Sequence, residues 1–412
     1  GSSFSWLGHA VRCTWASSSF LSSRMATVDP MRRRLSVSQC GAAKVSESSS
    51  ADLDPTSKIH RAGLNTIFEK AKIDKNRVAM VASVTDTDLK RRKSFAEKDT
   101  DVLSDFESSE EATSWVHSFG IGWSCRKGLK PESPNQDSFS VLIVENDFAL
   151  YSVFDGHGPH GHEVSNFVRE MVVKLFLGSP ERTTNPGESF RAAFTTAQSA
   201  LEQQVLENPK AEGSIDANMS GTTCTMVYHD IPRDRLTVAH VGDSRAVLGM
   251  SGKEPGYKDL TKDHKPNDDA EKKRIESSDP PGRVMFDGYY NYRVFAKDGM
   301  YPGLNMSRAI GDVVGHKEAG LSAKPDVWEL DLAGERKPDG GLALLVCTDG
   351  VWEFISSEEA CKKVFEFSPS QATEAMKKLV ELGWQRWMQD SDHEISDDIT
   401  GIYVDLSKKP GA

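Results

Sequence analysis

Five aspartates stand in short turns beside apolar segments, where carboxylates from distant parts of the chain could meet. They are Asp137 in PNQDSF, Asp155 in FDGHG, Asp243 in VGDSR, Asp349 in CTDGVWE and Asp397 in SDDIT. Any one of these turns is ordinary for aspartate, which favours turns. Carboxylates that are brought together, however, repel each other unless a positive group lies between them. The set therefore predicts a site for divalent cations, which take oxygen ligands.

The most informative segment is FDGHGPHGH, residues 154–162, which follows an apolar strand and precedes a helical pattern. Its glycines let an ion or ligand approach the backbone closely, so the Gly156 carbonyl is also a candidate ligand. The three histidines raise the alternative of zinc, but the surrounding aspartates favour harder metals. A contiguous calcium-binding loop is excluded because the aspartates are spread from residue 137 to residue 397.

The elements that must position these residues form an α+β pattern. Apolar strands are predicted at 114–124 and 138–154, a β-hairpin around Pro232–Asp234, and helices at 163–177, 188–206, 357–366 and 371–387. Strands cluster in hairpins without strict β-α-β alternation, which favours layered, mostly antiparallel sheets. A single domain is placed at 114–408 and residues 265–305 are interpreted as a surface flap. Residues 1–113 are interpreted as a largely disordered extension with a short helix near 58–72.

Composition excludes several classes of protein. The net charge of −11 argues against nucleic-acid binding, and no apolar run reaches the roughly 18 residues of a membrane span. The six cysteines form no CxxC pair, which indicates free thiols in a reducing compartment, cytoplasmic or nuclear. The first 28 residues lack acids and are similar to a transit peptide, although the opening Gly-Ser-Ser is equally typical of a cloning scar. Basic runs before Ser36 and Ser94 indicate either kinase sites or solvated basic segments.

From Gly120 to Leu406 the order of motifs resembles the metal-dependent, type 2C serine/threonine protein phosphatases. No single short string is decisive, but the ordered series is specific. It comprises NQDSF, FDGHG, SGTTCT (220–225), VGDSRAVL (241–248), LTKDHKP (260–266), GRV (282–284), LNMSRAIGD (304–312), KPDV (324–327), LVCTDGVWE (345–353) and DDIT (397–400).

The resemblance implies a four-layer αββα sandwich with two Mg²⁺ or Mn²⁺ ions, and a weaker third, at one edge between the sheets. Direct ligands would be Asp155, Asp349, Asp397 and the Gly156 carbonyl, with Asp137 as a further ligand or as the group that orients metal-bound water. The weaker third site would use Asp243 and Asp349, with Glu353 where the family usually has Asp.

The remaining roles also come from the resemblance. His157 matches the family's proposed general acid, and Lys130 falls where the family usually has a phosphate-binding Arg. Lys130 would act as a point charge without the guanidinium fork, so Arg126 remains a second candidate. Gln136 replaces a common acid, which predicts weaker metal binding, and Asp398 replaces a common Asn.

The implied activity is hydrolysis of phosphoserine and phosphothreonine in proteins, by attack of a water that bridges the two ions. The implied partners are phosphoprotein substrates, and the protein is expected to be a monomer. The rival hypothesis is a pseudophosphatase that keeps the fold as a binding domain. It is disfavoured because Asp155, Asp349 and Asp397 are all present. Arg245 and Arg308 are predicted to tie loops together and not to bind phosphate.

Overall fold

Two antiparallel sheets stacked face to face form the centre of the protein. The structure, a computed structural model, describes residues 63–70, 76–84, 95–130, 133–207, 214–253 and 255–407. The predictions about residues 1–28, Ser36 and Ser94 lie outside these ranges. Elements are numbered below in chain order.

The first sheet has seven strands, all paired antiparallel. Across the sheet they are β16 (Asp326–Asp331), β9 (Arg235–Val241), β8 (Cys224–Asp230), β5 (Phe148–Phe154), β4 (Ser138–Val144), β1 (Val78–Ser83) and β2 (Thr100–Ser104). The central strands β4 and β5 are buried along their whole length. Because both faces are covered, these strands appear in the sequence as continuous apolar runs and not as an alternation.

The second sheet has five strands, also antiparallel. Their order is β11 (Gly256–Asp259), β10 (Arg245–Met250), β17 (Leu342–Cys347), β18 (Ile399–Asp405) and β3 (Ile121–Arg126). Side chains from the two facing surfaces, such as Phe139 and Val153 on one sheet and Leu344 and Ile402 on the other, form one buried cluster. This cluster is the centre of a β-sandwich.

Helices cover the outer face of each sheet. On the seven-stranded sheet lie α1 (Leu64–Lys70), α3 (Gly161–Gly178) and α4 (Pro186–Glu207); on the five-stranded sheet lie α7 (Asp349–Trp352), α8 (Ser357–Val364) and α9 (Ala372–Asp390). The remaining helices are α2 (Ser109–Ser118), α5 (Asp269–Glu276) and α6 (Val313–Glu318), and Pro369–Gln371 form a 3₁₀ turn. The predicted four-layer sandwich is confirmed.

Two small sheets complete the fold. The predicted flap contains β12 (Gly282–Phe286), β13 (Tyr292–Ala296) and β14 (Pro302–Leu304), which pair only with each other among the described strands. The other small sheet joins β15 (Ile310–Gly311), β7 (Gly221–Thr222) and β6 (Gly156–His157). This sheet places residues 311–313 (GDV) close to residues 155–158 (DGHG).

The N-terminal part of the domain differs from the sequence prediction. Residues 114–118 belong to α2 and not to a strand, because Ser108 caps this helix by accepting the Glu111 N–H, and Ala112 and Val116 pack into the core. In addition, β1 and β2 belong to the main sheet, so the boundary placed at residue 114 cuts through that sheet. β2 is largely exposed and gives little signal, whereas β1 is a buried apolar run, VAMVAS, that the sequence prediction did not include in the domain.

Two further sequence predictions concern the chain as a whole. Cys125, Cys224, Cys347 and Cys361 are buried free thiols, as predicted for these four, whereas Cys13 and Cys40 lie outside the described residues. Within the described ranges, no helix is both long enough and apolar enough to cross a bilayer.

Candidate functional site

Strand register places the five aspartates at one end of the sandwich. Ser138 pairs with Phe154, so Asp137 and Asp155 flank the same end of β4 and β5, and the pair Cys224–Val241 places Asp243 there as well. In the other sheet, Arg245 pairs with Cys347 and Cys347 with Gly401, so Asp349 and Asp397 leave β17 and approach β18 at one end. Each carboxylate thus depends on an apolar strand that fixes where its turn begins.

The carboxylates are close enough to change each other's ionisation. Burial, followed by the charges of Asp349, Asp137 and Asp397, holds the pKa of Asp155 well above its usual range. Burial and the neighbouring Asp243 and Asp397 raise the pKa of Asp349 to about 7. Mutual repulsion of this kind is what a bound cation would relieve. The structure therefore brings all five predicted aspartates together.

Several oxygens in this cluster are free to accept a further ligand. The Oδ1 atoms of Asp137, Asp243 and Asp349 are buried and have no hydrogen-bond partner among the described residues. The second oxygen of Asp137 accepts a hydrogen bond from Thr348 Oγ1 at 3.0 Å, and that of Asp243 accepts one from Lys265 Nζ at 2.6 Å. Buried acceptors normally find a partner, so unpaired ones at a cluster indicate a ligand site.

The donor set fits Mg²⁺ or Mn²⁺, which take oxygen ligands from carboxylates and backbone carbonyls. Within the described ranges, no three His, Cys, Asp or Glu side chains already converge as a ready-made ligand group. Lysine ammonium groups contact the cluster at Asp243 and Asp397. Binding of cations would thus require the carboxylates and lysines to adjust within the cluster.

Lys130 and Arg126, the two candidates for binding phosphate, have different surroundings. The Lys130 ammonium contacts Asp397 Oδ1. Burial lowers its pKa, but the neighbouring Asp397 and Asp398 outweigh this effect and raise it. Arg126 instead donates to Glu97 at 2.8 Å, and its guanidinium lies 4.5 Å from the centre of the Phe95 ring. Of the two, only Lys130 has a described contact with one of the five aspartates.

His157 forms a pair with Asp312, in which Nε2 lies 2.7 Å from Oδ2. Burial lowers the pKa of His157, but the Asp312 carboxylate more than offsets this and raises it above the usual value. Gly221 lies against the pair: a Cβ there would be 2.0 Å from Asp312 Oδ2 and 2.8 Å from His157 Nε2. Only a glycine leaves room for this arrangement.

Asp398 holds two loops of the site together. The sequence shows only that Asp398 replaces a common Asn, and it does not reveal this role. Its carboxylate accepts the backbone N–H groups of Gly128 at 2.7 Å and of Gln136 at 2.9 Å. The Gln136 amide in turn donates to the Gly158 carbonyl at 2.6 Å. Gly156 lies in the same crowded region, since a Cβ there would be 2.4 Å from the Gly161 carbonyl oxygen.

The other predicted residues lie outside the centre of the cluster. Glu353 follows Asp349 by one turn and is solvent-exposed. Arg245 donates twice to Asp263, both at 2.9 Å, and Arg308 binds Glu271 and Asp326, so the structural roles predicted for both arginines are confirmed. Sequence reasoning missed Lys265 and Thr348, although each stands inside a quoted motif, LTKDHKP and CTDGVWE.

Comparisons with known proteins identify a family to which the chain is similar. The family model "Protein phosphatase 2C" matches residues 132–392. "Probable protein phosphatase 2C 73" from rice (Oryza sativa subsp. japonica) is 32% identical over 74% of this chain and 79% of its own. "Probable protein phosphatase 2C 65" from Arabidopsis thaliana is 31% identical over 70% and 77%.

A solved structure is also similar. A serine-threonine phosphatase 2C from Toxoplasma gondii superposes with a TM-score of 0.57 at 20% identity, covering 69% of this chain and 94% of that one. At this level of identity the superposition supports the fold alone.

Proposed function

The chain belongs to the protein phosphatase 2C family, and we propose that it hydrolyses phosphoserine and phosphothreonine in proteins with two Mg²⁺ or Mn²⁺ ions held by its aspartates. Its class is that of a protein serine/threonine phosphatase. The proposal adds the metal-dependent mechanism, the residues that carry it and the phosphoprotein substrates.

The observation that carries the proposal is the cluster of aspartates with free, buried oxygens at one end of both sheets. Asp155, Asp349, Asp397 and the Gly156 carbonyl would hold the two principal ions, and Asp137 would hold or orient a coordinated water. Asp243 and Asp349 would hold a weaker third ion, with Glu353 as a further candidate ligand. When bound, the ions supply an activated water near neutral pH and offset charge on the phosphoryl oxygens.

The chain's own residues supply the remaining functions. Lys130 carries a positive charge into the cluster and would bind a phosphate oxygen of the substrate. His157, held by Asp312, would give its proton to the departing serine or threonine oxygen. Its raised pKa keeps more of the imidazole protonated near neutral pH, as an acid requires.

The test is hydrolysis of a phosphothreonine peptide with and without Mn²⁺ or Mg²⁺, comparing wild type with Asp349→Asn. The isosteric amide keeps the shape of Asp349 but removes its charge, so we expect metal-dependent turnover to fall by at least about 100-fold. The matched control is Asp390→Asn, which changes an exposed aspartate at the end of α9 and should leave turnover unchanged.

Failure of the well-folded wild-type protein to release phosphate from several peptides with either metal would contradict the proposal. The pseudophosphatase would then be the better description. Equal turnover by wild type and Asp349→Asn would contradict the assignment of the site and leave the enzyme class standing.

A further inference from the structure

A short segment that precedes the residues matched by the family model contacts the turn that carries Asp137, one of the five clustered aspartates. We call residues 95–99 the strap; it runs antiparallel to the end of β3, with a bridge between Glu97 and Arg126. Backbone hydrogen bonds join Phe95 N to the Lys127 carbonyl at 2.7 Å and Lys98 N to the Cys125 carbonyl at 2.8 Å. The strap is thus fixed to the sheet by regular hydrogen bonds.

Side chains reinforce this attachment. The Glu97 carboxylate accepts hydrogen bonds from Ser124 Oγ and the Cys125 N–H, both at 3.0 Å, and from Arg126 Nε at 2.8 Å. The Phe95 ring packs at 4.8 Å from the Trp384 ring of α9. Arg126, considered above as a phosphate ligand, therefore serves to hold the strap.

One charged side chain of the strap, that of Lys98, lies in the interior of the protein. Lys98 is only 6% exposed, and its ammonium donates to the backbone carbonyl of Asn135 at 3.1 Å and to that of Asp137. Burial lowers the pKa of Lys98, and the neighbouring Cys125, Asp137 and Asp398 offset this lowering only in part. A buried ammonium is costly unless it is paired, so this placement is specific.

We propose that Lys98 is a positioning residue of the metal site: it fixes the Asn135–Asp137 turn and so directs the Asp137 carboxylate at the other aspartates. The inference rests on the proposed function, since it concerns how that site binds its cations.

The geometry explains why the position of Asp137 needs this support. Its Oδ2 is held by Thr348 from the other sheet, and its Oδ1 is buried and unpaired among the described residues. Lys98 donates a hydrogen bond to the backbone carbonyl of Asp137, and Asp398 accepts a hydrogen bond from the Gln136 N–H. Groups that orient metal ligands in this way commonly change metal affinity or activity by 10- to 100-fold when they are removed.

The experiment compares full-length wild type with Lys98→Met, which removes the ammonium but keeps an unbranched side chain. Mn²⁺ binding is measured by calorimetry without substrate, and kcat and KM are measured with a phosphothreonine peptide at saturating Mn²⁺. We expect Mn²⁺ affinity and kcat each to fall by about 10- to 100-fold while KM stays within about twofold. Lys98→Arg, which keeps the charge and the donors, should recover most of both losses.

The matched control is Lys174→Met. Lys174 is similarly buried, 5% exposed, but it pairs with Glu170 on α3. Its loss should lower the melting temperature and leave Mn²⁺ affinity unchanged, as a purely structural lysine would. Lys98→Leu, which also lacks any hydrogen-bond donor, replaces Lys98→Met if that variant does not fold.

If the Lys98 variant had the same Mn²⁺ affinity and the same kcat as the wild type, the inference would be overturned, however unstable the variant is. A wild type that binds Mn²⁺ more tightly than the variant, yet turns over no peptide, would sustain the inference and refute the proposed function. A wild type that does not bind Mn²⁺ would overturn both.

Discussion

At the residue scale, His157 and Asp312 come from distant parts of the chain and meet through the small sheet of β6, β7 and β15. Gly221 on β7 lies against them without a side chain. Asp312 has a left-handed backbone with φ of 43°, a conformation that Asn also tolerates. A charge-removing substitution at this position can therefore preserve the local backbone.

Asp312→Asn should impair the protonation of the leaving group and leave the cation site in place. We expect kcat on a phosphothreonine peptide to fall by about 100-fold, because the poor alkoxide leaving group depends on the acid. The loss on p-nitrophenyl phosphate, whose leaving group needs little protonation, should be several times smaller. Steady-state assays of both substrates at saturating Mn²⁺ make the comparison. Equal losses on the two substrates would exclude a role for this pair in proton transfer.

The sequence could predict which aspartates to group, because each one borders an apolar strand or a glycine turn that is visible locally. It could not predict Lys98, Lys265 or Asp398, since their roles depend on which loops the stacking of the sheets brings together. The contacts of Asp398 with Gly128 and Gln136, for example, span more than 260 positions. Local patterns carry no signal for contacts of that kind.

At the element scale, the Glu271 carboxylate links the two chain segments that flank the three flap strands. Glu271 on α5, before the three flap strands, accepts hydrogen bonds from Arg308 at 2.5 Å and from Ser307 at 2.7 Å, both after those strands. Arg274 on the same helix donates to it at 2.7 Å. These contacts hold together the two chain segments that flank the three flap strands.

Glu271→Gln should destabilise the protein in a pH-dependent way. Burial alone would raise the pKa of Glu271, but the hydrogen bonds from Arg308, Arg274 and Ser307 lower it to about 2, below its usual 4.5. The carboxylate's contribution is therefore complete above about pH 4.5 and is lost as the pH falls towards about 2. After allowance for solvent screening, a shift of this size corresponds to roughly 1–3 kcal/mol of the free energy of unfolding.

Urea unfolding of wild type and Glu271→Gln at pH 6, 4 and 3 measures this contribution. We expect the difference in the free energy of unfolding to be largest at pH 6 and to narrow as the pH falls. A difference that stays constant with pH would show that the substitution acts through packing and not through the charge.

Several elements with strong local signals are predicted closely from the sequence, whereas one segment with mixed signals is not. The apolar runs of β4 and β5 and the long amphipathic helices α3, α4 and α9 match the structure closely. The segment 114–118 contains Trp115 and Val116 and was assigned to a strand, but the Ser108 cap and the first-turn acids Glu110 and Glu111 begin a helix before it. Capping decided this case over β propensity.

At the scale of the whole molecule, the N-terminal strands complete the seven-stranded sheet. Every residue of β1 is buried, and β1 lies between β4 and β2. Removing β1 would expose the backbone of β4, a strand buried along its whole length, as a new sheet edge. Long apolar edges of this kind promote aggregation.

A chain that begins at residue 114 should therefore fail to fold or should aggregate, whereas one that begins at residue 63 should fold like the full-length protein. The large buried side chains of β1, Val78, Met80 and Val81, contribute about 1.5–3 kcal/mol each. Their sum of about 5–9 kcal/mol is comparable with the total stability of many domains, about 5–15 kcal/mol. Thermal unfolding and size-exclusion chromatography of both chains provide the measurement. If the chain from residue 114 were monomeric and melted within a few degrees of the longer one, β1 and the strap would be dispensable additions to a core that begins at β3.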